Sequence, residues 1–395
     1  MIRKSILIGH PYFHCFGGSN ALAAYAVQAL SRDFAVTVAT LGPVDVAAVN
    51  RSFGTALRRE DFEVCIAPEK YRRPVAWLPT AGALLEQSLT IAWTRQLAGT
   101  RPFDLLLSTQ NEADFGRPGM QYIHYPAWYL PRPAEELRWF HHIPGLLPLY
   151  RRFCFRIGGA SRAGVAKNVT LVNSSFIAGR TVQTHACKPR VLYPPVPGEF
   201  AAVPWEERRA AIVGLGRLHP IKRWGMAVEI VDAVRQRGHD LGLTLIGHTD
   251  SPEETQRLRA MAATRPWLRI LTGLSRARLE QEVVQHRYGI HTMAEEHFGI
   301  APAELQRAGC VTFVHNSGGP PEIVGNDPRL LFDRVNDAVE KISRAIEDPA
   351  TERDLRALVA SRRDCFSVEQ FCDGLRQHAH EFFSDRAVAA AVQYA

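Results

Sequence analysis

Two acidic residues, Glu296 and Glu304, stand eight positions apart in the stretch YGIHTMAEEHFGIAPAE, residues 288–304. Between them lies Phe298-Gly299-Ile300, and the following Pro302 is typical of the first turn of a helix. We therefore predict that a helix begins near residue 300, with Glu296 in the preceding turn and Glu304 one turn inside. The N–H groups at such a helix start can hold a phosphate. The two flanking carboxylates should then bind hydroxyl groups rather than cations.

A pair of cations follows a second apolar run, AAIVGLGR at 210–217. Arg217 stands just beyond this predicted strand, and Lys222 follows five residues later at a helix start. An arginine fork and a lysine point charge together suit a diphosphate. Taken alone, such cations are more often solvated surface charges, just as Glu296 and Glu304 alone would more often be ordinary acids of a helix start.

The N-terminal stretch GHPYFHCFGGSNALAAYAV holds a third candidate. Gly17 and Gly18 open a predicted helix, and the missing side chains would let a phosphate or a sugar approach the first N–H groups. The alternative is a plain turn capped by Ser19 or Asn20. The spacing is not G-x-G-x-x-G, so it does not indicate a dinucleotide site.

Two weaker candidates complete the set. His124 follows an apolar run and precedes Tyr125-Pro126, so it should face a ligand-binding edge, although a lone histidine is more often structural. The glycine-rich loop HNSGGPPEIVG, residues 315–325, places Glu322 in the first turn of the next helix. There it could be simply an acid that favours a helix start.

The elements that must position these residues alternate between strands and helices. Apolar strand-like runs separated by helical patterns predict parallel sheets covered on both faces, an α/β fold of two doubly wound Rossmann-like domains. The alternation of strand and helix patterns begins again after the proline-rich stretch YPPVPGEFAAVPW. We predict domains at 1–203 and 204–370, with a C-terminal helix at 371–395 that returns to the first domain. Ligands of such sheets bind beyond the carboxyl ends of the strands, here in a cleft between the domains.

The distribution of charged residues and cysteines bears on the kind of partner and on the cellular compartment. Residues 1–203 hold 22 Lys+Arg and 13 Asp+Glu, an excess of +9, and the remainder holds 25 and 27, a balance of −2. No zinc-finger, RNP-like or helix-turn-helix signal accompanies the basic half, so we predict no nucleic-acid partner. Seven scattered cysteines, without paired spacing, indicate neither a disulfide framework nor a zinc site and favour a reducing, cytoplasmic compartment. We predict neither a signal peptide nor a transmembrane helix.

Together these motifs resemble retaining glycosyltransferases of family 4, which have the GT-B fold. The family's E-x7-E motif is similar to Glu296 through Glu304, and its phosphate-binding Arg and Lys to Arg217 and Lys222. Its N-terminal glycine loop and its cleft histidine resemble Gly17-Gly18 and His124. The stretches GIHTMAEEHFGI, VHNSGGP and YIHYP look most like the branch of dolichol-linked α-1,2-mannosyltransferases, whose eukaryotic members carry a membrane-anchoring N-terminus that we do not find here.

This resemblance implies a donor, an acceptor and a set of roles. It implies transfer of a hexosyl group, with mannosyl favoured, from a nucleotide diphosphate sugar, with GDP-mannose favoured over UDP-sugars, to a glycan, lipid-linked or small-molecule acceptor. It implies that Glu296 binds the transferred sugar and Glu304 the ribose. The diphosphate would then lie among Arg217, Lys222 and the backbone of residues 298–300, bordered by Gly17-Gly18, and His124 would contact the sugar or the acceptor. We predict no metal and no cofactor.

The alternatives are a sugar-nucleotide 2-epimerase on the same fold and a non-catalytic protein that binds a sugar nucleotide. A further prediction concerns the segment from Arg138 to Arg162, in which aromatic and aliphatic residues alternate with arginines. Such a pattern suits the interface of an anionic membrane, which would make the protein peripheral on the inner face of the membrane. The same residues could instead pack as an ordinary surface helix.

Overall fold

The computed structural model describes residues 3–77, 82–130 and 143–393. The chain divides into two compact units. Unit 1 comprises Met1–Pro195 and Val368–Ala395, and unit 2 comprises Val196–Ser367. The segment before residue 204 belongs with unit 2 because the Val196 N–H donates to the Phe366 carbonyl at 3.1 Å and Phe200 is buried in the unit 2 core.

In the described part of unit 1, seven parallel strands form one sheet in the order β3-β2-β1-β4-β5-β6-β7. The strands are β1 Ser5–Gly9, β2 Ala35–Thr40, β3 Phe62–Ile66, β4 Leu105–Ser108, β5 Met120–Ile123, β6 Val169–Val172 and β7 Arg190–Val191. The helices are α1 Gly18–Leu30, α2 Val46–Phe53, α3 Glu69–Trp77, α4 Gly82–Thr100, α5 Leu146–Ile157, α6 Arg162–Ala166, α7 Ser175–Thr184 and, from the C-terminal segment, α15 Val368–Gln393.

Helix α15 packs in the core of unit 1. Its apolar residues Phe371, Cys372, Leu375, Ala379 and Phe382 recur at helical spacing and are buried together with residues of α1 and of the sheet. This periodicity leaves one apolar stripe that must be covered. The C-terminal segment therefore completes the hydrophobic core of the N-terminal unit.

Unit 2 likewise contains a parallel sheet, with six strands in the order β10-β9-β8-β11-β12-β13. Its strands are β8 Arg209–Leu215, β9 Gly242–Gly247, β10 Leu268–Thr272, β11 His286–His291, β12 Val311–His315 and β13 Leu331–Phe332. Its helices are α8 Trp224–Gln236, α9 Pro252–Ala263, α10 Arg276–Val283, α11 Ile300–Arg307, α12 Pro320–Ile323, α13 Val335–Glu347 and α14 Pro349–Arg362, with short 3₁₀ turns at Trp205–Glu207 and Pro220–Lys222.

In each sheet the order of the strands reverses at one place. The reversal lies between β1 and β4 in unit 1 and between β8 and β11 in unit 2. Connections leave in opposite directions there, so the carboxyl ends of the two strands flank a crevice in which ligands of such folds bind. The loops after these four strands are therefore where site residues are expected.

Candidate functional site

The two cations that follow β8 have different partners. Arg217 Nη1 donates to Asp250 Oδ2 at 2.7 Å, and both side chains are substantially exposed. Lys222 closes the 3₁₀ turn Pro220–Lys222 and is mostly buried. Its ammonium is ion-paired with Glu296 and lies 3.3 Å from the Met293 sulfur. The structure thus joins Lys222 from the loop after β8 to Glu296 from the loop after β11.

The end of β11 fixes this pair. The Thr292 hydroxyl donates to the carbonyl oxygen of Lys222 at 2.6 Å and is 3.2 Å from that of Arg223. His291 is buried, and its Nε2 lies 3.6 Å from the Glu296 carboxylate. Neighbouring residues of one strand therefore hold the backbone of Lys222 and the side chain of its partner.

Electrostatics keep Glu296 ionised. Burial by itself would raise the pKa of the Glu296 carboxyl, but the Lys222 ammonium and His291 together hold that pKa well below its usual value. Burial lowers the pKa of His291, although Glu296 opposes this effect. At neutral pH the group is thus a carboxylate beside an ammonium and a neutral imidazole.

Helix α11 begins at Ile300, as predicted, because Gly299 turns the chain. Gly299 has φ 102°, a left-handed conformation, and a Cβ there would lie 2.7 Å from Pro302 Cγ. Phe298 is buried and packs edge-on against Phe366, with ring centroids 5.6 Å apart. The buried Phe298 anchors the turn, and the first N–H groups of α11 follow it without partners inside the helix.

Glu304 lies on the buried side of α11. It is ion-paired with Arg276 Nη1, while Arg276 Nε donates to Glu280 at 2.6 Å and Nη2 to the Pro197 carbonyl at 2.7 Å. Burial raises the pKa of the Glu304 carboxyl, and Arg276 opposes that shift. Arg276 is the first residue of α10, and no sequence motif had indicated it.

That the two carboxylates bind hydroxyl groups of a ligand stays a prediction, and the protein itself supplies each of them with a partner that the sequence did not indicate. A cation, Lys222 or Arg276, is paired with each carboxylate. A carboxylate removed from water is costly unless it is paired. In each case the partner comes from a distant part of the sequence.

The glycine-rich loop after β12 shapes the turn that carries Glu296. Gly318 has φ 79°, and a Cβ there would lie 2.3 Å from the Glu296 carbonyl oxygen. The Gly319 N–H donates to that oxygen at 2.8 Å. The Ser317 hydroxyl accepts the Glu295 N–H at 2.8 Å. Ser317, Gly318 and Gly319 of this loop thus contact the turn, and Glu322 lies in the first turn of α12, as predicted.

In unit 1, Gly17 and Gly18 lie at the start of α1. Gly17 has φ 88° and occupies the cap position, which leaves Asn20 a different role from the predicted cap. Asn20 Oδ1 lies 3.1 Å from His10 Nε2, and Asn20 Nδ2 donates to the Phe16 carbonyl at 2.8 Å. Burial lowers the pKa of His10 to about 4, against the opposing hydrogen bond from Asn20. A neutral network therefore holds the glycine turn.

His124 follows β5 and is held through its backbone and its ring. Its N–H donates to Asn111 Oδ1 at 2.9 Å, its carbonyl accepts from Asn173 Nδ2 at 3.0 Å, and its Nε2 lies 3.1 Å from the Thr109 carbonyl oxygen. Asn111 has φ 60°. The adjacent Glu112 accepts the Ala127 N–H at 2.9 Å and is paired with the buried His185. Asn111 and Glu112, neither of which the sequence patterns indicated, thus set the path of the loop after His124.

Comparison with known proteins identifies the type of domain that unit 2 forms. Residues 197–360 match the family model described as "Glycosyl transferases group 1", a range that contains Arg217, Lys222, Glu296 and Glu304. Unit 2 is a glycosyltransferase group 1 domain. The predicted resemblance to glycosyltransferases is thereby confirmed.

The curated relatives that this chain matches have modest identity. Mouse (Mus musculus) GDP-Man:Man(3)GlcNAc(2)-PP-Dol alpha-1,2-mannosyltransferase is 27% identical over 190 residues, which is 43% of this chain and 38% of the relative. The human (Homo sapiens) protein of the same name is 25% identical over 247 residues, 56% of this chain and 49% of the relative. The chain thus matches less than half of the length of these two relatives.

Solved glycosyltransferase structures share the fold over nearly the whole chain. Sucrose-phosphate synthase from Thermosynechococcus elongatus gives a TM-score of 0.68 at 14% identity and covers 97% of this chain and 100% of its own. WaaG, a glycosyltransferase involved in lipopolysaccharide biosynthesis, gives 0.63 at 13% identity, with 94% and 98% covered. The predicted fold class, α/β of the GT-B type, is confirmed.

Three further observations concern cysteines, metal ligands and membrane spans. All seven cysteines are free thiols. Within residues 3–77, 82–130 and 143–393, no group of three His, Cys, Asp or Glu side chains is arranged to hold a metal ion. None of the described helices combines the length and the apolar character needed to cross a bilayer.

Proposed function

We propose that this chain transfers a mannosyl group from GDP-mannose to a lipid-linked glycan, with retention of the anomeric configuration. The observation that carries the proposal is the Lys222–Glu296 pair at the strand reversal of a glycosyltransferase group 1 domain. The donor and the lipid-linked acceptor are those for which the mannosyltransferase relatives are named.

In this proposal the cations and the start of α11 hold the diphosphate. Negative charge grows on the leaving diphosphate as its bond to the anomeric carbon breaks. Arg217, Lys222 and the N–H groups of residues 298–300 are fixed groups that stabilise this charge without reorganising. The acceptor hydroxyl oxygen forms the new bond on the same face, and its proton passes to the departing phosphate oxygen. Positioning and charge stabilisation then supply the catalysis.

In this proposal the carboxylates of Glu296 and Glu304 accept hydrogen bonds from hydroxyl groups on either side of the diphosphate. Lys222 and His291 lie at Oε2 of Glu296, so we assign Oε1 to hydroxyls of the transferred sugar. Arg276 donates to Oε1 of Glu304, so we assign Oε2 to the ribose. The pairing cations keep both acids oriented before the donor arrives. Gly17-Gly18 border the diphosphate in this proposal, and His124 contacts the sugar or the acceptor.

Helix α5 supplies a surface for a lipid-linked acceptor. Leu149 and Phe153 are 67% and 54% exposed, and Arg152 and Arg156 are exposed on the same helix. The predicted segment begins at Arg138, and its residues 138–142 lie outside the described residues. We propose that α5 lies against an anionic membrane, which makes the protein peripheral on the cytoplasmic face.

A panel of donors tests the function. Purified chain should hydrolyse GDP-mannose slowly without an acceptor, and faster than the UDP- and ADP-sugars. If added glycan acceptors gave no mannosylated product from GDP-mannose and free mannose was still the only sugar released, a different enzyme would be favoured. Conversion of the sugar to its 2-epimer would identify an epimerase. Tight GDP-mannose binding without turnover would identify a binding protein.

We also propose that the reaction needs no divalent metal. Lys222, Arg217 and the α11 N–H groups already supply positive charge where the diphosphate would lie. Transfer should therefore continue at an unchanged rate in EDTA. A loss of activity in EDTA that magnesium or manganese restores would contradict this proposal and leave the donor assignment standing.

A further inference from the structure

Three aromatic rings stack along the loop between β1 and α1. The ring centroids of Tyr12 and His14 are 5.3 Å apart with an interplanar angle of 27°, and those of His14 and Phe16 are 5.4 Å apart at 14°. In extended chain, residues two apart point to the same side. Tyr12, His14 and Phe16 are called the aromatic strip below.

The alternate residue shows which way the aromatic strip faces. Phe13 points inward, is 7% exposed and packs edge-on against His10 at 4.9 Å. Phe16 by contrast is 69% exposed, and His14 is exposed as well. Both ends of the loop are fixed, because the Pro11 carbonyl accepts the Leu41 N–H at 2.8 Å and the Phe16 carbonyl accepts from Asn20. The strip thus presents the rings of His14 and Phe16 to solvent, with Tyr12 partly buried at its other end.

A half-buried acid on α4 lies beside the strip. No described residue forms a hydrogen bond or an ion pair with the Glu86 carboxylate. Burial raises the pKa of the Glu86 carboxyl, and His14 opposes the shift. Burial and Glu86 also raise the pKa of Tyr12, against the effect of Arg72. Tyr12 also packs against the apolar cluster that contains Leu85 and Leu89 of α4, so the turn of α4 that carries Glu86 lies beside the strip.

We propose that the aromatic strip and Glu86 form a subsite for a pyranose ring of the acceptor glycan. This inference rests on the proposed function, since it names the part of unit 1 that takes the acceptor. A pyranose presents an apolar C–H face, which suits a flat aromatic surface, and hydroxyl donors at its edge, which suit a carboxylate that lacks a partner. A phosphate would be repelled by Glu86, and a purely apolar partner would leave that acid desolvated.

The position of the strip agrees with this role. It follows β1, whose carboxyl end flanks the strand reversal of unit 1, and it ends at Gly17, where α1 begins. The aromatic strip thus adjoins the turn that the proposed function places beside the diphosphate.

The test is saturation-transfer NMR with the whole chain, with methyl α-mannopyranoside and an α-1,2-linked dimannoside as probes and GDP present. The wild type should bind both, the dimannoside more tightly. Phe16→Ala and Tyr12→Ala should each weaken binding about fivefold or more, since an aromatic contact contributes roughly 1 kcal/mol. Tyr12→Phe retains the ring and should lose less. Val182→Ala, another exposed apolar residue of unit 1, is the matched control and should change nothing.

The outcomes separate this inference from the proposed function. GDP affinity and thermal unfolding should be unchanged in every variant, which shows that each is folded. Equal mannoside binding by Phe16→Ala, Tyr12→Ala and the wild type would overturn the subsite, as would no mannoside binding by a wild type that hydrolyses GDP-mannose. Strip-dependent mannoside binding in a chain that does not turn over GDP-mannose would support the subsite and refute the proposed function.

Discussion

The same strand reversal carries different chemistry in the two units. In unit 2, Glu296 and Glu304 are each paired with a cation, and both pairs are largely buried. In unit 1, uncharged side chains hold the corresponding loops: Asn20 donates to the carbonyl of Phe16, beside Gly17, and Asn111 accepts from the N–H of His124. The loop after β1 then adds aromatic rings where the loop after β8 has cations.

This difference fits two kinds of ligand. A diphosphate needs fixed positive charge, which in a partly buried site must be balanced before the ligand arrives. A glycan is neutral and needs hydrogen-bonding groups and apolar faces. The comparison indicates that unit 2 is organised for an anion and unit 1 for a sugar. The predictions below test this division, beginning with the largest expected effect.

Removing Lys222 should have the largest effect. Lys222→Ala deletes a cation that we assign to the leaving diphosphate and leaves Glu296 buried without its partner. Turnover at saturating GDP-mannose should fall at least tenfold, a rise in the barrier of about 1.4 kcal/mol or more. Lys188→Ala removes an exposed lysine of unit 1 and should leave turnover unchanged.

A double variant separates catalysis from stability. If Lys222→Ala acts only by leaving Glu296 unpaired, then Lys222→Ala/Glu296→Gln should match the single variant Glu296→Gln in both stability and turnover. We expect the double variant to match it in thermal stability and to turn over more slowly. Near-normal turnover of Lys222→Ala itself would remove this cation from the reaction and weaken the description of unit 2 as an anion site.

Acid should destabilise unit 1 through protonation of His10. The pKa of His10 in the folded protein is about 4, below its ordinary value, so the unfolded state takes up the proton first. The contribution of the neutral His10 to stability is then complete above about pH 6.5 and decreases as the pH falls towards 4. At pH 5 the loss should be roughly 2 kcal/mol.

Hydrogen exchange of α1, Gly18–Leu30, at pH 7 and pH 5 measures this effect. His10→Gln should flatten the pH dependence in α1. The matched control is His286→Gln, since burial also lowers the pKa of His286 in unit 2 to about 4 and its loss should leave α1 unchanged. Glu296 adds little slope in this range, because its carboxyl pKa is well below its usual value in the folded protein and an unfolded glutamate takes up protons mainly below about pH 5. The same slope in α1 with and without His10 would disprove the role of the neutral network.

Removing Glu304 should have a smaller effect, a loss of donor affinity through its contact with the ribose. Its loss leaves ribose hydroxyls unpaired, which costs roughly 1–3 kcal/mol. Glu304→Ala should therefore weaken GDP-mannose binding about tenfold, and a 2′,3′-dideoxy donor should lose little further affinity in this variant. Calorimetry of the four combinations measures the coupling. If the two losses simply add, Glu304 does not contact the ribose, and its pairing with Arg276 is only structural.

Sequence patterns predicted the elements whose signal is local. The start of α11 at Ile300 and the glycine start of α1 follow from proline, glycine and apolar periodicity within a few residues. The predicted strand-like runs did not include β3 or β13. Strand β3 has five residues but only Phe62 is fully buried, and β13 has only two residues, so neither forms a continuous apolar run.

The partners of the site residues could not be predicted in the same way. Lys222 and Glu296 are 74 positions apart, and Arg276 and Glu304 are 28 apart. These pairs form because the order of the strands brings the loops together. The spacing of residues within either motif does not predict that order. The E-x7-E pattern thus located both acids and gave no sign that each has a cation.

The smallest expected effect concerns the positive charge of the N-terminal half. The +9 excess of residues 1–203 is not at the candidate site of unit 1, where the groups are neutral or acidic. Helix α5 places two of these charges, Arg152 and Arg156, among exposed apolar side chains. If this half uses charge for a membrane rather than for a ligand, the loss of these arginines should affect vesicle binding and leave donor hydrolysis intact.

Each basic residue near an anionic bilayer contributes roughly 1 kcal/mol, and salt screens it. Co-sedimentation should therefore show binding to anionic but not neutral vesicles, weaker at high salt and weaker again in Arg152→Ser/Arg156→Ser. The control Arg51→Ser/Arg59→Ser makes the same change in net charge at exposed sites of α2 and the loop after it, so it separates a local surface from a general charge effect. Equal losses in the two double variants would show that only net charge matters. Absence of binding to either vesicle type would refute docking and favour a soluble glycan acceptor.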